Sequence, residues 1–243
     1  MKVGISRWQA WAPQQQSTAD WESWAGDPRP LSSDGAPDGR FLPPMLRRRC
    51  TPLSKIMLKV AFDCCGDDER RAGVRTVFAS RHGSINESIE LLECVVRRER
   101  VSPAKFSHTV HNAQAGLFSI AAGNREASSS LAGREDTFGC GLLESLAHLQ
   151  REPERPVLLV VGDVPLAPRF AALIQEPPAS YAVALLLEAN GGGPALRVDL
   201  RPASAERSAP SWPAAAEFLR FWISDDPSVE IQTPRHAWAF TKH

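Results

Sequence analysis

Five stretches of the chain have the hydrophobic pattern of β-strands. Residues 157–161 and 181–188 are almost entirely apolar, which is typical of strands covered on both faces of a sheet. The first stretch instead alternates apolar and polar positions, as a strand with one buried face does. The predicted strands are residues 2–8, 74–80, 128–132, 157–161 and 181–188. A further alternating stretch, residues 195–201, follows a glycine-rich turn at 190–193, so we expect it to pair with 181–188.

Helical periodicity is found between these strands. Residues 52–65, 86–98, 109–122 and 214–224 each carry apolar side chains three and four positions apart, and a further helix is predicted from Thr137. In the helix at 109–122 the pattern places Val110, Ala113, Leu117 and Ile120 on one buried face; in the helix at 86–98 it turns inward Ile89, Leu91, Leu92, Val95 and Val96. The sequence therefore predicts an α/β domain with a five-stranded, mostly parallel mixed sheet and helices on both faces.

The segment between the strand at 128–132 and the helix at Thr137 is a tight charged turn, which we call the elbow. Its residues are Arg134, Glu135 and Asp136, and Gly133 precedes them. A strand that turns sharply into a helix presents the turn residue beside the positive end of that helix, where a nucleophile or an oxyanion is stabilised. We therefore place the functional position of the chain on this elbow.

Several short sequence motifs resemble those of a known family. The chain is similar to β-ketoacyl synthase-like N-terminal domain proteins of the chain-length-factor type, which belong to the thiolase-like superfamily and to gene clusters for aryl polyene and related pigments. The motifs that carry the resemblance are SRWQAWAP at residues 6–13, LPPMLRRR at 42–49, VFASRHG at 77–83, TVHNAQAGL at 109–117 and REDTF at 134–138.

The resemblance implies half of a thiolase-like fold in which Glu135 takes the position of the nucleophile. Condensing enzymes of this superfamily need a thiolate for acyl transfer and two histidines that stabilise decarboxylation of the extender unit. This chain has neither set at the matching places, and Cys140 lies one helical turn beyond the elbow. The function implied is a non-catalytic partner of a complete β-ketoacyl-ACP synthase, in a heterodimer that works on chains carried by an acyl carrier protein. The same resemblance indicates a substrate tunnel or interface at Phe106, Val110, Ala113, Gln114 and Leu117.

A second hypothesis gives the chain its own activity. A carboxylate at the elbow fits a stand-alone malonyl-ACP decarboxylase or a thioesterase-like acyltransferase that uses Glu135 with His111 or His82. A purely structural reading pairs Glu135 with Arg134 or Arg125 in a salt bridge. A third possibility is a homodimer that serves only as a scaffold.

The length and composition indicate the number of domains and the kinds of partner that the chain can bind. The 243 residues fit one domain, with a mobile loop at about 27–39 and a linker at about 202–213. Because 28 basic residues balance 28 acidic ones, no global field attracts nucleic acid or an anionic membrane.

No membrane span or signal peptide is recognisable, so we expect a cytoplasmic protein. Five cysteines without paired spacing predict neither disulfides nor a metal site, and no cofactor is indicated. The arginines at 47–49 are either solvated or a docking point for an acidic carrier protein or its phosphopantetheine phosphate.

Overall fold

The protein is described by a computed structural model, which covers residues 2–174, 176–189, 191, 194–204 and 210–243. Eight strands form one sheet in the order β3-β2-β4-β5-β1-β6-β8-β7. The strands are β1 (Lys2–Trp11), β2 (Arg75–Ala79), β3 (Ser128–Leu131), β4 (Val157–Asp163), β5 (Tyr181–Glu188), β6 (Ala195–Pro202), β7 (Ser228–Gln232) and β8 (His236–Lys242). The α-helices are α1 (Thr18–Gly26), α2 (Pro44–Arg47), α3 (Pro52–Cys65), α4 (Asp68–Gly73), α5 (Ile85–Val96), α6 (Pro103–Phe106), α7 (Ala113–Ala122), α8 (Thr137–Arg151) and α9 (Ala214–Ile223), with 3-10 helices at Arg134–Asp136 and Pro168–Leu173.

All five strands expected from the sequence are present, and three of them are parallel neighbours. β2 lies between β3 and β4 and runs parallel to both. β5 runs antiparallel to β4 on one side and to β1 on the other. Every residue of β2 and β4 is buried, as expected of strands covered on both faces of a sheet. The mixed α/β fold is therefore confirmed.

The sheet has eight strands, three more than the five predicted. β6 was recognised as a strand, but it pairs with β1 and β8 and not with β5, because β1 occupies the edge of β5 that β6 would need. β7 and β8 were missed, although β8 buries Ala237, Trp238 and Phe240. The turn residues 190, 192 and 193 that suggested the β5–β6 hairpin lie outside the described residues.

The sheet is covered on both faces by separate apolar clusters. Along β4 the residues alternate, so that Leu159 belongs to one cluster and Leu158 to the other. Helices α1, α8 and α9 cover the first face through side chains such as Trp21, Phe138 and Phe218. Helices α2, α3 and α7 cover the second face, with residues such as Leu46, Ile56 and Phe118. The two layers hold the sheet ends in fixed positions, and the candidate site is built on one of these ends.

Two helices differ from their predicted faces. In α5 only Leu91 is buried, and Leu92, Val95 and Val96 are exposed, with Val96 83% accessible. Helical periodicity correctly groups these residues on a face, but it does not say whether the same chain covers that face. α7 begins at Ala113, so Val110 lies before the helix and is exposed, as is Ile120. The single buried face expected for residues 109–122 is therefore wrong.

The mobile loop at 27–39 and the linker at 202–213 stay predictions. Residues 27–39 contain no helix or strand, and the structure does not test their mobility. Of the linker at 202–213, residues 205–209 lie outside the described residues, and 210–213 lead irregularly into α9. Among the helices that the structure describes, none combines the length and the apolar character needed to cross a bilayer.

The packing of Trp238 on the first turn of α8 gives a test of the fold. A Cβ at Gly139 would lie 2.3 Å from Trp238 Cε2, so we expect Gly139→Ala to lower the free energy of unfolding by about 3 kcal/mol through overpacking. Gly116 in α7 has no atom within 4 Å of such a Cβ. Gly116→Ala should therefore raise the stability by about 0.5–1 kcal/mol through helix propensity. Urea unfolding of both variants measures the two effects, and equal effects would contradict the described contact.

Candidate functional site

The carboxyl ends of the three parallel strands meet at one edge of the sheet. The loop of residues 80–83 follows β2, the elbow follows β3, and Asp163 ends β4. Open α/β sheets bind ligands at this edge, because the strand ends present loops and helix starts side by side. The predicted elbow, a strand followed by a sharp turn and a helix, is present as β3, the 3-10 helix at Arg134–Asp136 and α8.

Asp163 fixes the loop that follows β2. Its Oδ1 accepts hydrogen bonds from Ser80 Oγ at 2.7 Å and from the His82 N–H at 3.0 Å, and its Oδ2 accepts one from the Arg81 N–H at 3.0 Å. Ser80 Oγ in turn accepts the Gly83 N–H at 2.8 Å. Burial raises the pKa of the Asp163 carboxyl, and these hydrogen bonds oppose that rise. The side chain thus joins two neighbouring strands through groups that water cannot reach.

Arg81 projects from this loop and pairs with two carboxylates. Its Nη2 donates to Glu135 Oε1 at 2.7 Å, and its Nη1 lies 2.9 Å from Glu176 Oε1. The side chain of Arg81 is only 13% exposed. Burial raises the pKa of Glu176, and the charge of Arg81 opposes that rise. Glu135 is therefore ion-paired as the structural reading expected, but its partner is Arg81 and neither Arg134 nor Arg125.

The backbone of the elbow is strained at Arg134. This residue has a φ of +56°, in the left-handed region that side chains other than glycine rarely adopt. Thr137 Oγ1 accepts the Gly133 N–H at 3.0 Å and donates to the Arg134 carbonyl at 2.6 Å, which holds the turn closed. By its backbone, Arg134 is the tip of the elbow, and its side chain is exposed. Glu135, predicted to take the nucleophile position, lies one residue after the tip.

Asp136 ties the elbow to the hairpin of β7 and β8. Its Oδ1 accepts from Trp238 Nε1 at 2.7 Å and from Thr233 Oγ1 at 2.7 Å, and its Oδ2 lies 2.9 Å from His236 Nδ1. Burial favours a higher pKa for Asp136, but these three partners outweigh it and hold the pKa below its usual value. Sequence reasoning missed this cluster, and the only local signal was the alternation of residues 236–242.

The two histidines considered as partners of Glu135 lie in different environments. His82 is half-buried, and burial lowers the pKa of its imidazole. His111 is exposed and lies against the loop at Gly83, where an added Cβ would be 3.0 Å from His111 Nδ1. Within the described part of the chain, Glu135 is hydrogen-bonded to Arg81 and to neither histidine. The Cys140 thiol packs against Gly133, and burial raises its pKa, which disfavours the reactive thiolate.

The five predicted tunnel residues fall into two groups. Phe106 and Val110 are 60% and 42% exposed, whereas Ala113, Gln114 and Leu117 are buried. Gln114 Nε2 donates to Ser84 Oγ at 3.2 Å and so fixes the start of α7 against the loop after β2. Leu117 packs in the cluster on the second face of the sheet. The five side chains therefore do not line one common wall within this chain, because Phe106 and Val110 precede α7.

One cavity lies at the elbow, and another lies along β3. One of about 250 Å³ lies between the elbow, the start of α9 and the β7–β8 turn, and Arg81, Glu135, Glu176 and Trp212 line it. The other, of about 350 Å³, is a groove between α7 and β3 lined by Ala115, Gly116, Ser128 and Ser130, among others. Across the described ranges, no group of three or more His, Cys, Asp or Glu side chains could hold a metal ion.

Comparisons with known proteins agree on one family. The sequence profile described as the β-ketoacyl synthase N-terminal domain matches residues 21–241. A chain from the structure of a ketosynthase (ApeO) in complex with its chain length factor (ApeC), from Xenorhabdus doucetiae, is 26% identical, with 99% of both chains covered and a TM-score of 0.84. No curated protein sequence matches the chain.

Two more distant structures share the fold. The ishigamide ketosynthase/chain length factor is 13% identical, with 99% of this chain and 98% of that chain covered and a TM-score of 0.72. A type II PKS acyl-carrier protein in complex with its ketosynthase bound to the hexaketide gives 10% identity, 100% and 99% coverage and a TM-score of 0.70. The architecture of this chain is that of half a thiolase-like fold, with eight strands in its sheet.

The strain at the elbow tip is testable with a matched control. Arg134→Gly should raise the free energy of unfolding by about 1 kcal/mol, because glycine adopts a positive φ without steric cost. Arg98, at φ +59° after the end of α5, has the same backbone region outside the site, so Arg98→Gly should give a similar gain. Thermal or urea unfolding compares both with the wild-type protein. A loss of stability confined to Arg134→Gly would show that the Arg134 side chain itself supports the elbow.

Proposed function

Because this chain belongs to the family of β-ketoacyl synthase N-terminal domains, we propose that it is a non-catalytic, chain-length-factor-like subunit that pairs with a complete ketosynthase. The assembly elongates a chain on an acyl carrier protein in aryl polyene or related polyketide biosynthesis. The observation that carries the proposal is the elbow itself. It keeps the strand, turn and helix of a nucleophile site, but Arg134 stands at its tip and Glu135 is locked to Arg81.

The chemistry of condensation explains why such an elbow does not work alone. Acyl transfer needs a thiolate at the turn, and decarboxylation needs donors that stabilise the developing enolate. The nearest thiol to the elbow tip, Cys140, is kept protonated by burial, and Nδ1 of His236 is engaged by Asp136. The ion pair with Arg81 likewise makes the Glu135 carboxylate a poor base. These contacts favour the partner role over the stand-alone decarboxylase or thioesterase.

We place the surface for the ketosynthase at the free edge of β3 and along residues 85–120. β3 pairs with β2 on one side only, so its other edge carries backbone groups without a strand partner among the described residues. Most of the exposed large apolar side chains fall between residues 85 and 120: Ile85, Leu92, Val95, Val96, Val101, Phe106, Val110 and Ile120. Such a concentration of exposed apolar residues in one segment marks an interaction surface.

The exposed and the buried tunnel residues are both consistent with the proposed ketosynthase surface. Phe106 and Val110 are exposed, and we place them against the ketosynthase, where they border the growing chain. Ala113, Gln114 and Leu117 are buried behind them and set the position of the segment, Gln114 through its bond to Ser84. The proposed tunnel is therefore completed by the partner and is not enclosed within this chain.

The similar structures support the choice of partners. One is a ketosynthase with its chain length factor, and another is a ketosynthase with an acyl carrier protein. A single domain is supported by the sheet, which contains both β1 and β8. The proposed location is the cytoplasm, which is consistent with five cysteines that all remain free thiols.

Association with the ketosynthase is the first test. We expect the wild-type protein to co-purify with the ketosynthase when the two are co-expressed. Phe106→Glu and Ile120→Glu should each abolish co-purification, because they place a charge in the proposed apolar contact. Leu200→Glu is the matched control, since Leu200 is exposed on β6 at the opposite part of the sheet. Retention of the complex in both test variants, or its loss in the control, would contradict the proposed surface.

The role in product length gives a second test. Val110→Trp should shift the polyene products to shorter chains, because a larger side chain beside the tunnel reduces the room for an extended product. Leu200→Trp should leave the length distribution unchanged. Chromatography and mass spectrometry of pigments from cells carrying each variant measure the distribution. If the complex forms and the products of Val110→Trp match those of the wild type, Val110 does not border the tunnel.

A further inference from the structure

The cavity at the elbow contains an unbalanced charge. Arg81 lines it and pairs with two carboxylates, those of Glu135 at 2.7 Å and Glu176 at 2.9 Å. One positive charge therefore lies between two negative ones, and the group carries an excess negative charge when both carboxylates are ionised. The side chains of Arg81, Glu135 and Glu176 are 13%, 31% and 24% exposed, so water screens this excess only in part.

Glu176 is the less well compensated of the two carboxylates. Arg81 Nη2 donates a hydrogen bond to Glu135, whereas Arg81 Nη1 is buried and makes no aligned hydrogen bond within the described chain, although Glu176 Oε1 is near. Burial raises the pKa of Glu176; Arg81 opposes the rise, and the charges of Asp163 and Glu135 add to it. A further positive group beside Glu176 would stabilise its ionised form.

Two more carboxylates line the same cavity from other elements. Glu217, in the first turn of α9, pairs with Arg220 at 2.9 Å. Glu230, on β7, is 44% exposed, and the nearest cation paired with it, Arg201, is 3.9 Å away. No three His, Cys, Asp or Glu side chains of the described residues come close enough together to hold a metal ion. The carboxylates therefore surround a space and do not converge on one point, which favours a ligand larger than an inorganic ion.

The remaining wall of the cavity is largely apolar. Trp212, Ile231, Pro210 and Pro234 line it, Ile231 is buried and Trp212 is half-buried. The Trp212 ring already lies beside a cation of the chain, because the Arg220 guanidinium is 5.8 Å from its centroid. The volume of about 250 Å³ exceeds several-fold the ~30 Å³ that one water molecule occupies in the liquid. Apolar walls with a few charged groups are the usual form of a small-molecule site.

We propose that this cavity binds a small organic ammonium ion. The ammonium group would lie against Glu176 and supply the positive charge that Arg81 alone does not, while the carbon atoms pack on Ile231 and Trp212. An anionic ligand would add to the excess negative charge, and an uncharged ligand would leave it uncompensated. All of these groups belong to one chain, so binding does not require the ketosynthase.

Titration of the full chain tests the site. The ligand is n-butylammonium chloride, and n-butanol is the uncharged ligand of the same shape. Both are measured by isothermal titration calorimetry, and potassium chloride keeps the ionic strength constant, so that an inorganic cation competes throughout. We expect n-butylammonium to bind about tenfold more tightly than n-butanol or better, because only the ammonium group makes a charge-assisted hydrogen bond to a carboxylate.

Matched variants locate the ligand. Glu176→Gln keeps the size of the side chain and removes its charge, so it should weaken n-butylammonium binding by about tenfold and leave n-butanol binding unchanged. Glu154→Gln makes the same change in net charge at an exposed residue outside the cavity and should leave both affinities within about twofold of wild type. Thermal unfolding verifies that each variant is folded. If Glu176→Gln is not, Glu230→Gln replaces it, with an expected loss of about threefold at this more exposed position.

The results decide the proposal in either direction. A loss of n-butylammonium binding in the cavity variant, without a loss in Glu154→Gln, supports the site. Absence of n-butylammonium binding to the wild-type chain overturns it, as does equal binding of n-butylammonium and n-butanol. Equal losses in Glu176→Gln and Glu154→Gln also overturn it, because the ion is then attracted by net charge alone. An unchanged affinity in Glu176→Gln overturns it as well, since the carboxylate then holds no ligand charge.

Discussion

The carboxylate of Asp163 links the two strands on which the candidate site depends. It lies at the end of β4 and receives the hydroxyl of Ser80 and two backbone N–H groups from the loop after β2. Isolated burial of a carboxylate costs several kcal/mol, so a site of this kind is stable only when such donors surround it. The loop they fix directs Arg81 towards Glu135, and Arg81 in turn holds the elbow. A local change at Asp163 would therefore displace the loop, the ion pair and the turn together.

Local patterns in the sequence predicted the sheet core and the elbow. Residues 157–161 and 181–188 could be assigned to strands because burial on both faces leaves an apolar run that needs no knowledge of neighbours. The contacts of the site could not be predicted in the same way. Arg81 and Glu135 are 54 positions apart, and Asp136 and Trp238 are 102 positions apart. Nothing in a single sequence connects residues at such separations, so the pairing of Glu135 was assigned to nearby arginines.

The exposed face of α5 shows a different limit of sequence reasoning. Its periodicity identified an apolar face, yet Leu92, Val95 and Val96 are exposed on the isolated chain. Burial is a property of the assembly, and a subunit that works in a complex carries part of its apolar surface for the partner. The same holds for the resemblance to the family. The resemblance predicts that the elbow is the nucleophile region with Glu135 at the nucleophile position, and the backbone shows that Arg134, not Glu135, has the positive φ at the tip.

The edge strand β3 has a consequence for how the chain behaves on its own. It contains only four residues, three of which are serines, and short polar edges are poor templates for pairing with arbitrary chains. A long apolar strand at this edge would recruit further copies into aggregates. In β3 the hydroxyls are engaged sideways instead, since Ser128 Oγ accepts from Thr76 Oγ1 and Ser129 Oγ donates to Glu144 Oε1, both at 2.8 Å. If the chain pairs with a ketosynthase as proposed, such an edge lets it persist alone before the two chains meet.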